Sequence, residues 1–217
     1  MGIVKLKKLD DPLPKKEELI ERIKAGSKVL DVGCGNNGPE LAKSIQPKMY
    51  YVGVDVENYN QTSSHIADEY QLFPVHEFTE RLDELPINFD YVICMHVLEH
   101  SSEREKLLRS MSRRLKSGGF IFLTFPNQAS VYYPSRNGTL NYYDDPTHLD
   151  KPPSFSKTLS ILMDSNIKII YRRRFYSSPI RFWFGLKSEC RSIKTGKVLR
   201  HTWALWGFES VIVGEKL

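Results

Sequence analysis

An apolar run that leads directly into a cluster of glycines is the feature that most constrains the fold of this chain. KVLDVG, residues 28–33, has the composition of a buried strand, and the turn that follows contains Gly35 and Gly38. PELAKSI, residues 39–45, then has the apolar spacing of a helix. A strand, a glycine turn and a helix in this order predict a ligand-binding crevice at the carboxyl end of a parallel strand.

Apolar runs and helical patterns alternate along the rest of the chain. Strands are predicted at residues 28–33, 50–56, 72–77, 89–96, 120–126, 167–175 and 203–216, the last with a bend near Gly207. Helices are predicted at 14–26, 39–45, 103–116 and 154–166. Strands joined through helices of about ten residues need crossover connections, which place the strands in parallel. The pattern therefore predicts an α/β fold with a mostly parallel sheet.

Composition narrows the class of protein without naming a ligand. The 217 residues are 41% hydrophobic and 26% charged, which is typical of a globular protein. The net charge of +5 permits an anionic substrate or RNA but requires neither. Cys34, Cys94 and Cys190 are widely spaced, which predicts free thiols and a cytoplasmic location. No apolar run reaches the roughly 18 residues that span a bilayer, and no signal-peptide pattern begins the sequence.

Two acidic residues accompany the glycine turn. Asp31 lies within the first predicted strand, and Asp55 follows the core of the second. In nucleotide-binding α/β folds, a carboxylate at the end of the second strand accepts hydrogen bonds from ribose hydroxyls. Gly33, Gly35 and Gly38 also satisfy G-x-G-x-x-G, so the turn alone leaves a nicotinamide dinucleotide open as a ligand.

Four ordered motifs carry a resemblance to a known family. They are VLDVGCGNNG, YVGVDVE, FDYVICMHVLEHS and LLRSMSRRLKSGGFIFLTFPN. Together they resemble class I S-adenosylmethionine-dependent methyltransferases over residues 28–126, in the branch with VLEH and FPN motifs. This branch is similar to sugar- and polysaccharide-associated and quinone O-methyltransferases. The resemblance implies a Rossmann-like, doubly wound, seven-stranded sheet, mostly parallel with the last strand antiparallel, and S-adenosylmethionine as cofactor.

The resemblance also implies a set of cofactor-binding residues. The glycines of the turn let the backbone approach the methionine part of the cofactor, and Asp31 holds its amino group directly or through water. Asp55 binds the ribose hydroxyls, and Val56 contributes to the adenine pocket. Met95 and His96 line the methionine and sulfonium side. The full set is Asp31, Gly33, Cys34, Gly35, Asp55, Val56, Met95 and His96.

We expect a single methyltransferase domain over residues 1–217. An N-terminal helix falls within residues 1–27, and the cofactor-binding core covers 28–126. Residues 127–153 are rich in Tyr, Pro, Asn and Asp without a clear period, which predicts a long functional loop or lid over the acceptor. Residues 154–217 supply the C-terminal half of the sheet, with an insertion of basic and aromatic residues at 177–201.

His148, within the predicted lid, is the leading candidate for the catalytic base. An alcohol acceptor must lose a proton during methyl transfer, which calls for a general base or a metal ion. The segment DPTH around His148 resembles one found in methyltransferases that modify sugars and surface polysaccharides. We therefore expect a small-molecule or saccharide acceptor and O-methylation. The alternative for His148 is a structural role in capping the nearby helix or binding Asp144 or Asp145.

The HVLEH segment, residues 96–100, leaves a metal-dependent alternative open. It matches the H-x-x-E-H spacing of some zinc proteases, but that site requires a helix and this segment ends a predicted strand. It also resembles the E-x-x-E-H motif that binds a divalent ion in RNA 2′-O-methyltransferases and some quinone O-methyltransferases. Here His96, Glu99, His100 and His148 are the candidate ligands.

An alternative to both enzymatic functions is a protein that binds S-adenosylmethionine without catalysis.

Overall fold

A single sheet of seven strands runs through the chain. The computed structural model describes residues 16–175, 177 and 179–217. The strands are β1 (Lys28–Val32), β2 (Tyr50–Asp55), β3 (Glu69–Leu72), β4 (Phe89–Met95), β5 (Leu115–Pro126), β6 (Ile167–Arg173) and β7 (Glu209–Lys216). Their order across the sheet is β3-β2-β1-β4-β5-β7-β6.

Helices connect most of these strands. They are α1 (Lys16–Glu21), α2 (Gly38–Ile45), α3 (Phe78–Asp83), α4 (Arg104–Arg114), α5 (Phe155–Asp164), α6 (Pro179–Thr195) and α7 (Thr202–Trp206). The predicted N-terminal helix over 14–26 is observed as the shorter α1, and the part of that prediction before residue 16 lies outside the described residues.

The predicted fold class is confirmed. β1 pairs in parallel with both β2 and β4, so the chain reverses its direction of progress across the sheet beside β1. β4 pairs in parallel with β5, whereas β7 is antiparallel to both β5 and β6. Such a reversal point opens a crevice at the carboxyl ends of the strands, which is where ligands bind in open α/β sheets.

The central strands are buried on both faces. Two apolar clusters cover the sheet: one contains Leu30 and Val92, and the other contains Val29 and Ile93. Since neighbouring residues of a strand point to opposite faces, both layers draw on the same short segments. Burial on both faces therefore requires continuous, mainly apolar runs such as KVLDV. Because these runs are anchored in the core, the positions of the strand ends at the site are fixed.

The third strand was wrongly predicted. β3 is Glu69–Leu72, so it shares only Leu72 with the predicted strand at 72–77, and the second half of that prediction forms a 3-10 turn, Val75–Glu77. β3 pairs only with β2 among the described strands, and its residues are largely half-buried. An edge strand needs less apolar character than a central one, and Pro74 removes a backbone donor from the more apolar run that follows.

The last predicted strand, 203–216, was also partly wrong. Its first residues form α7, which ends at Gly207 with a left-handed φ of +64°. Glycine adopts this conformation without steric strain and ends helices in this way. The strand β7 begins only at Glu209. Trp203 and Trp206 resemble strand residues in composition, but their rings pack against His96 and Tyr133, so tertiary contacts decide their conformation.

Two other predicted segments contain local structure. The predicted lid, 127–153, holds two 3-10 turns, Gln128–Tyr132 and Tyr142–Asp144. The predicted insertion at 177–201 contains α6, the longest helix of the described chain. Within the described residues, no helix combines the length and apolar character that a membrane crossing requires.

Candidate cofactor and acceptor site

The glycine turn after β1 is held against the end of β2 by backbone hydrogen bonds. The amide of Gly33 donates to the carbonyl of Val54 at 2.8 Å. The amide of Gly35 donates to Oδ2 of Asp55, also at 2.8 Å. Gly33 and Gly35 both have left-handed φ angles, +69° and +67°, which favour glycine. The turn therefore links the first two strand ends into one surface.

The three glycines of the turn meet different surroundings. A Cβ on Gly33 would overlap Cγ2 of Val97, and one on Gly38 would lie 2.8 Å from the hydroxyl of Tyr51. A Cβ on Gly35 would meet no protein atom within 4 Å. Packing within the protein therefore explains Gly33 and Gly38, and only Gly35 combines a glycine conformation with open space for a ligand.

Asp55 lies at the carboxyl end of β2, as predicted. It is 5% exposed, and its two carboxylate oxygens accept hydrogen bonds from the amides of Gly35 and Val56. Burial raises the pKa of Asp55, and these amide hydrogen bonds partly offset the rise. Val56 follows it with an exposed side chain, as an adenine contact requires. A carboxylate has about four lone-pair sites, so Asp55 retains acceptor capacity for a ligand hydroxyl beyond its backbone hydrogen bonds.

Asp31 is held by two residues that the sequence analysis did not connect with it. The ammonium of Lys16 lies 2.7 Å and the hydroxyl of Tyr51 lies 2.6 Å from its Oδ2. Its Oδ1 is buried and has no hydrogen-bond partner among the described residues. An unpaired buried carboxylate oxygen is costly, so Oδ1 is suited to a donor such as the amino group of the cofactor.

Cys34 and Met95 contribute to the site in different ways. The side chain of Cys34 is buried beside Gly38 and Gly53, so only its backbone borders the crevice. Burial raises the pKa of the Cys34 thiol well above its ordinary value, with a further contribution from the charge of Asp31. Met95 is the last residue of β4, is half-buried and lies beside the end of β1.

His96 lies between two carboxylates. Its Nδ1 is 3.1 Å from Oε1 of Glu99, and its Nε2 is 2.8 Å from Oε1 of Glu209. Burial opposes the charged ring, but the hydrogen bonds to Glu209 and Glu99 outweigh it and raise the pKa of His96 to about 10. Carboxylate oxygens thus engage both ring nitrogens of His96, which leaves neither nitrogen free for a metal ion or for a proton from the acceptor.

His148 lies against the 3-10 turn Leu98–His100 that follows β4. The amide of Leu149 donates to the carbonyl of Glu99 at 3.1 Å, which fixes the lid to this turn. The ring of His148 stacks on Tyr142 at 4.5 Å and lies 4.9 Å from the ring of His100. Its Nδ1 is 2.6 Å from the carbonyl of Tyr142. Since a carbonyl only accepts, Nδ1 donates, and Nε2 of the neutral ring keeps its lone pair.

Glu99, His100 and His148 form a group that fits a metal ion. Each offers one ligand atom, and these atoms lie within 4.8 Å of one another. Nδ1 of His100 lies 3.2 Å from the carbonyl of Thr147, so carbonyls orient both imidazoles, as they do in many metal sites. Oε2 of Glu99 is buried without a partner among the described residues. Two imidazoles and a carboxylate suit a transition metal better than magnesium.

Residues far apart in the sequence complete the site. Besides the two partners of Asp31, Gln61 donates to the carbonyl of Gly35 at 2.9 Å and braces the turn. Glu209, on the other side, pairs with His96. The antiparallel last strand that the resemblance implies could have indicated Glu209. Such a strand begins at the edge of the sheet where the parallel strands end, so its first residue lies beside the site. No local pattern marks Gln61.

Comparison with known proteins decides which cofactor this geometry serves. A family model described as a methyltransferase domain matches residues 8–165. The chain belongs to this methyltransferase family. Membership of this family decides between the two cofactors that the glycine spacing leaves open, in favour of S-adenosylmethionine. The predicted family is thus confirmed.

Curated relatives match about half of this chain. The ubiquinone biosynthesis O-methyltransferase of Pseudomonas aeruginosa is 33% identical over 117 residues, which are 50% of this chain and 48% of the relative. The enzyme of the same name from Chromobacterium violaceum is 34% identical over 117 residues, with the same coverage. The chain therefore spans about half the length of the curated relatives it matches.

Solved structures match most of the chain. An S-adenosylmethionine-dependent methyltransferase from Mesorhizobium loti has a TM-score of 0.61 at 14% identity, covering 88% of this chain and 92% of its own. A methyltransferase from Archaeoglobus fulgidus has a TM-score of 0.54 at 20% identity, covering 93% and 95%. At these identities the likeness shows the fold alone.

Proposed function

We propose that the chain is an S-adenosylmethionine-dependent O-methyltransferase with a small-molecule or saccharide acceptor. The observation that carries this proposal is the open space at Gly35, whose amide is bound by Asp55, together with the unpaired Oδ1 of Asp31 on the strand that leads into the same turn. The family supports methyl transfer, and the names of the curated relatives support an oxygen as the acceptor atom. The DPTH segment around His148 supports a saccharide.

The protein's contribution to the reaction is mainly alignment and proton removal. When bound, S-adenosylmethionine supplies an electrophilic methyl group on a sulfonium. Gly35 lets the donor approach the backbone. Asp55 holds the ribose of the donor and Asp31 holds its amino group, so that the position of the donor relative to the acceptor is fixed. Fixing two reactants for an in-line displacement accounts for a large share of the rate in such reactions.

The acceptor is proposed to lie beside the group formed by Glu99, His100 and His148. Nε2 of His148 carries the lone pair that receives the proton of an acceptor hydroxyl, since its Nδ1 donates to Tyr142. Glu99 is fully buried, so its charge stabilises positive charge that develops on the neighbouring imidazoles. This arrangement makes His148 the proposed base.

A second candidate function is metal-dependent 2′-O-methylation of RNA. It is favoured by the fit of Glu99, His100 and His148 to a transition metal ion. When bound, such an ion would act as a Lewis acid that lowers the pKa of the acceptor hydroxyl. In this case the two histidines and Glu99 hold the ion, and His148 does not take the proton itself.

We also propose that residues 1–217 act as one methyltransferase domain in the cytoplasm. The sheet extends beyond the family match to Lys216, which supports a single unit. Cys34, Cys94 and Cys190 are all free, as is usual for proteins of a reducing compartment.

The proposal is tested with purified protein and methyl-labelled S-adenosylmethionine. Label should pass to members of a panel of sugars, phenols and quinols, and the Asp55→Ala variant should bind the donor at least tenfold more weakly by calorimetry. Loss of activity with EDTA, restored by a transition metal, together with labelling of short RNAs would favour the second candidate. Donor binding without transfer to any acceptor in the panel or to the short RNAs would contradict both candidates and leave a non-catalytic binding protein.

A further inference from the structure

The helix α6 exposes its large apolar side chains and turns one glycine and two polar residues toward the protein. Gly185 and Ser192 are buried and Glu189 is half-buried, whereas Ile180, Trp183 and Ile193 are 67%, 64% and 62% exposed. A surface helix of a globular protein normally buries its apolar stripe against the core. In α6 the arrangement is reversed.

Specific contacts fix this orientation of α6. A Cβ on Gly185 would lie 2.5 Å from the carbonyl of His201, so the helix packs closely on the segment that begins α7. The guanidinium of Arg136 pairs with Glu189 at 2.6 Å and donates to the hydroxyl of Ser192 at 2.7 Å. Arg136 is itself buried, so rotating the helix to hide its apolar face would break a buried ion pair.

The exposed face of α6 combines an apolar stripe with a basic border. Trp183, Leu186, Cys190 and Ile193 follow one another at intervals of three and four residues, so they lie along one side of the helix. The adjoining side carries Lys187, Arg191 and Lys194, also at intervals of three and four. All seven are exposed. The one acidic residue in the sequence of α6, Glu189, is neutralised on the buried side by Arg136.

We propose that this face of α6 binds an anionic lipid surface. An aromatic and aliphatic stripe bordered by basic residues is the composition of helices that lie in the plane of a membrane interface. The tryptophan ring and the aliphatic side chains insert among the acyl chains, while the long basic side chains reach the headgroup phosphates. The helix has 17 residues, which is about 26 Å of continuous contact surface.

Charge favours lipid over two other occupants of this face. In a symmetric contact with a second copy, basic borders meet basic borders, and the exposed face offers no carboxylate to pair with them. Single-stranded nucleic acid would satisfy the charges and could stack a base on Trp183, but it would leave the exposed aliphatic side chains of Leu186 and Ile193 without an apolar partner. An anionic membrane satisfies both the charges and the aliphatic side chains.

Binding in this way would bring the lipid surface close to the acceptor side of the site. α6 holds the lid through the Arg136–Glu189 pair, and it packs on α7, whose Trp203 lies 5.5 Å from the ring of His96. The inference goes beyond the proposed methyl transfer and does not depend on it, because it rests on the composition and orientation of α6.

The experiment is co-sedimentation of the full-length protein with vesicles. Phosphatidylcholine vesicles with roughly one third phosphatidylglycerol should bind the protein, pure phosphatidylcholine should bind it far more weakly, and salt should reduce binding. The triple variant Lys187→Gln, Arg191→Gln, Lys194→Gln should bind anionic vesicles about a hundredfold more weakly. The double variant Leu186→Gln, Ile193→Gln should lose at least tenfold. All of these changes lie on the exposed face, so folding should be unaffected, which circular dichroism checks.

Matched controls change equally exposed residues elsewhere. The control for the apolar double variant is Val75→Gln with Met163→Gln. The control for the basic triple variant is Lys24→Gln with Lys48→Gln and Lys168→Gln. Both controls should leave vesicle binding unchanged. Equal loss in controls and α6 variants would overturn the proposal, as would absence of vesicle binding in the wild type. Two other outcomes would also overturn it. One is a concentration-dependent dimer that the Leu186→Gln, Ile193→Gln variant dissociates, which would assign the face to a second copy. The other is tight binding of single-stranded RNA without vesicle binding, which would assign the face to RNA.

Discussion

On the cofactor side of the crevice, backbone groups close together in the chain make most of the contacts, whereas on the acceptor side distant side chains make them. The bond from Gly35 to Asp55 spans 20 positions, and the bond within Asp55–Val56 spans one. The pairs His100–Thr147 and His96–Glu209 span 47 and 113 positions. The cofactor side is therefore specified by one strand–turn–helix unit and its neighbour, and the acceptor side requires the whole sheet to be formed.

The largest expected effect concerns the acceptor side. His148→Ala should lower turnover by about 10²- to 10⁴-fold, because it removes the proposed base, while affinity for S-adenosylmethionine stays within about twofold of wild type. Turnover with labelled donor and calorimetry of donor binding separate the two quantities. The control is His76→Ala, whose side chain is 81% exposed. Unchanged turnover in His148→Ala would remove the residue from catalysis and weaken the contrast between the two sides.

The second effect concerns stability on the cofactor side. Gly33→Ala should lower the free energy of unfolding by about 3 kcal/mol, because the new Cβ adds a clash with Val97 to the strain of a left-handed backbone. Urea denaturation followed by circular dichroism measures the change. Gly26→Ala is the matched control: its φ is +79° and its Cβ would meet no protein atom within 4 Å, so it should lose only the ~1 kcal/mol due to backbone strain. Equal losses in the two variants would show that Val97 does not constrain the turn.

The third effect is on donor affinity. Asp55→Ala should weaken binding of S-adenosylmethionine at least tenfold, since it removes the acceptor of the ribose hydroxyls and frees the turn from the end of β2. Calorimetry measures the affinity, with the exposed neighbour Glu57→Gln as control. An affinity equal to that of the control would refute the ribose contact, whatever the turnover of the variant.

Sequence patterns locate the strand ends on the proposed cofactor side well for a physical reason. Burial on both faces forces the apolar runs of β1, β2 and β4, so the sequence alone locates their ends, with Asp31, Asp55 and Met95. The edge strand β3 and the helix α7 were misplaced, because one needs little apolar character and the other is fixed by ring contacts. The same distinction explains the site, in which local hydrogen bonds follow from spacing and long-range pairs do not.

The acceptor side shows what spacing alone misassigns. His96, Glu99, His100 and His148 were grouped as candidate metal ligands because three of them share the HVLEH segment. The structure places Glu99, His100 and His148 together, while His96 is engaged by Glu99 and Glu209. Glu209 lies on a strand that the sequence places last, so its charge could not enter a local argument. The role of a histidine depends on partners that only the complete sheet supplies.

The smallest expected effect tests whether Gly35 serves the ligand rather than the fold. Gly35→Ala should lower the free energy of unfolding by only ~1 kcal/mol, because its Cβ meets no protein atom and only the left-handed φ is strained. Donor affinity should nevertheless fall about fivefold, since the methyl group would occupy the opening that we propose for the cofactor. Gly26→Ala serves again as the control, with the same backbone strain and no effect on affinity. Calorimetry and urea denaturation of both variants measure these two effects. If Gly35→Ala bound the donor as well as Gly26→Ala does, the cofactor would lie elsewhere. Packing alone would then explain the shape of the cofactor side.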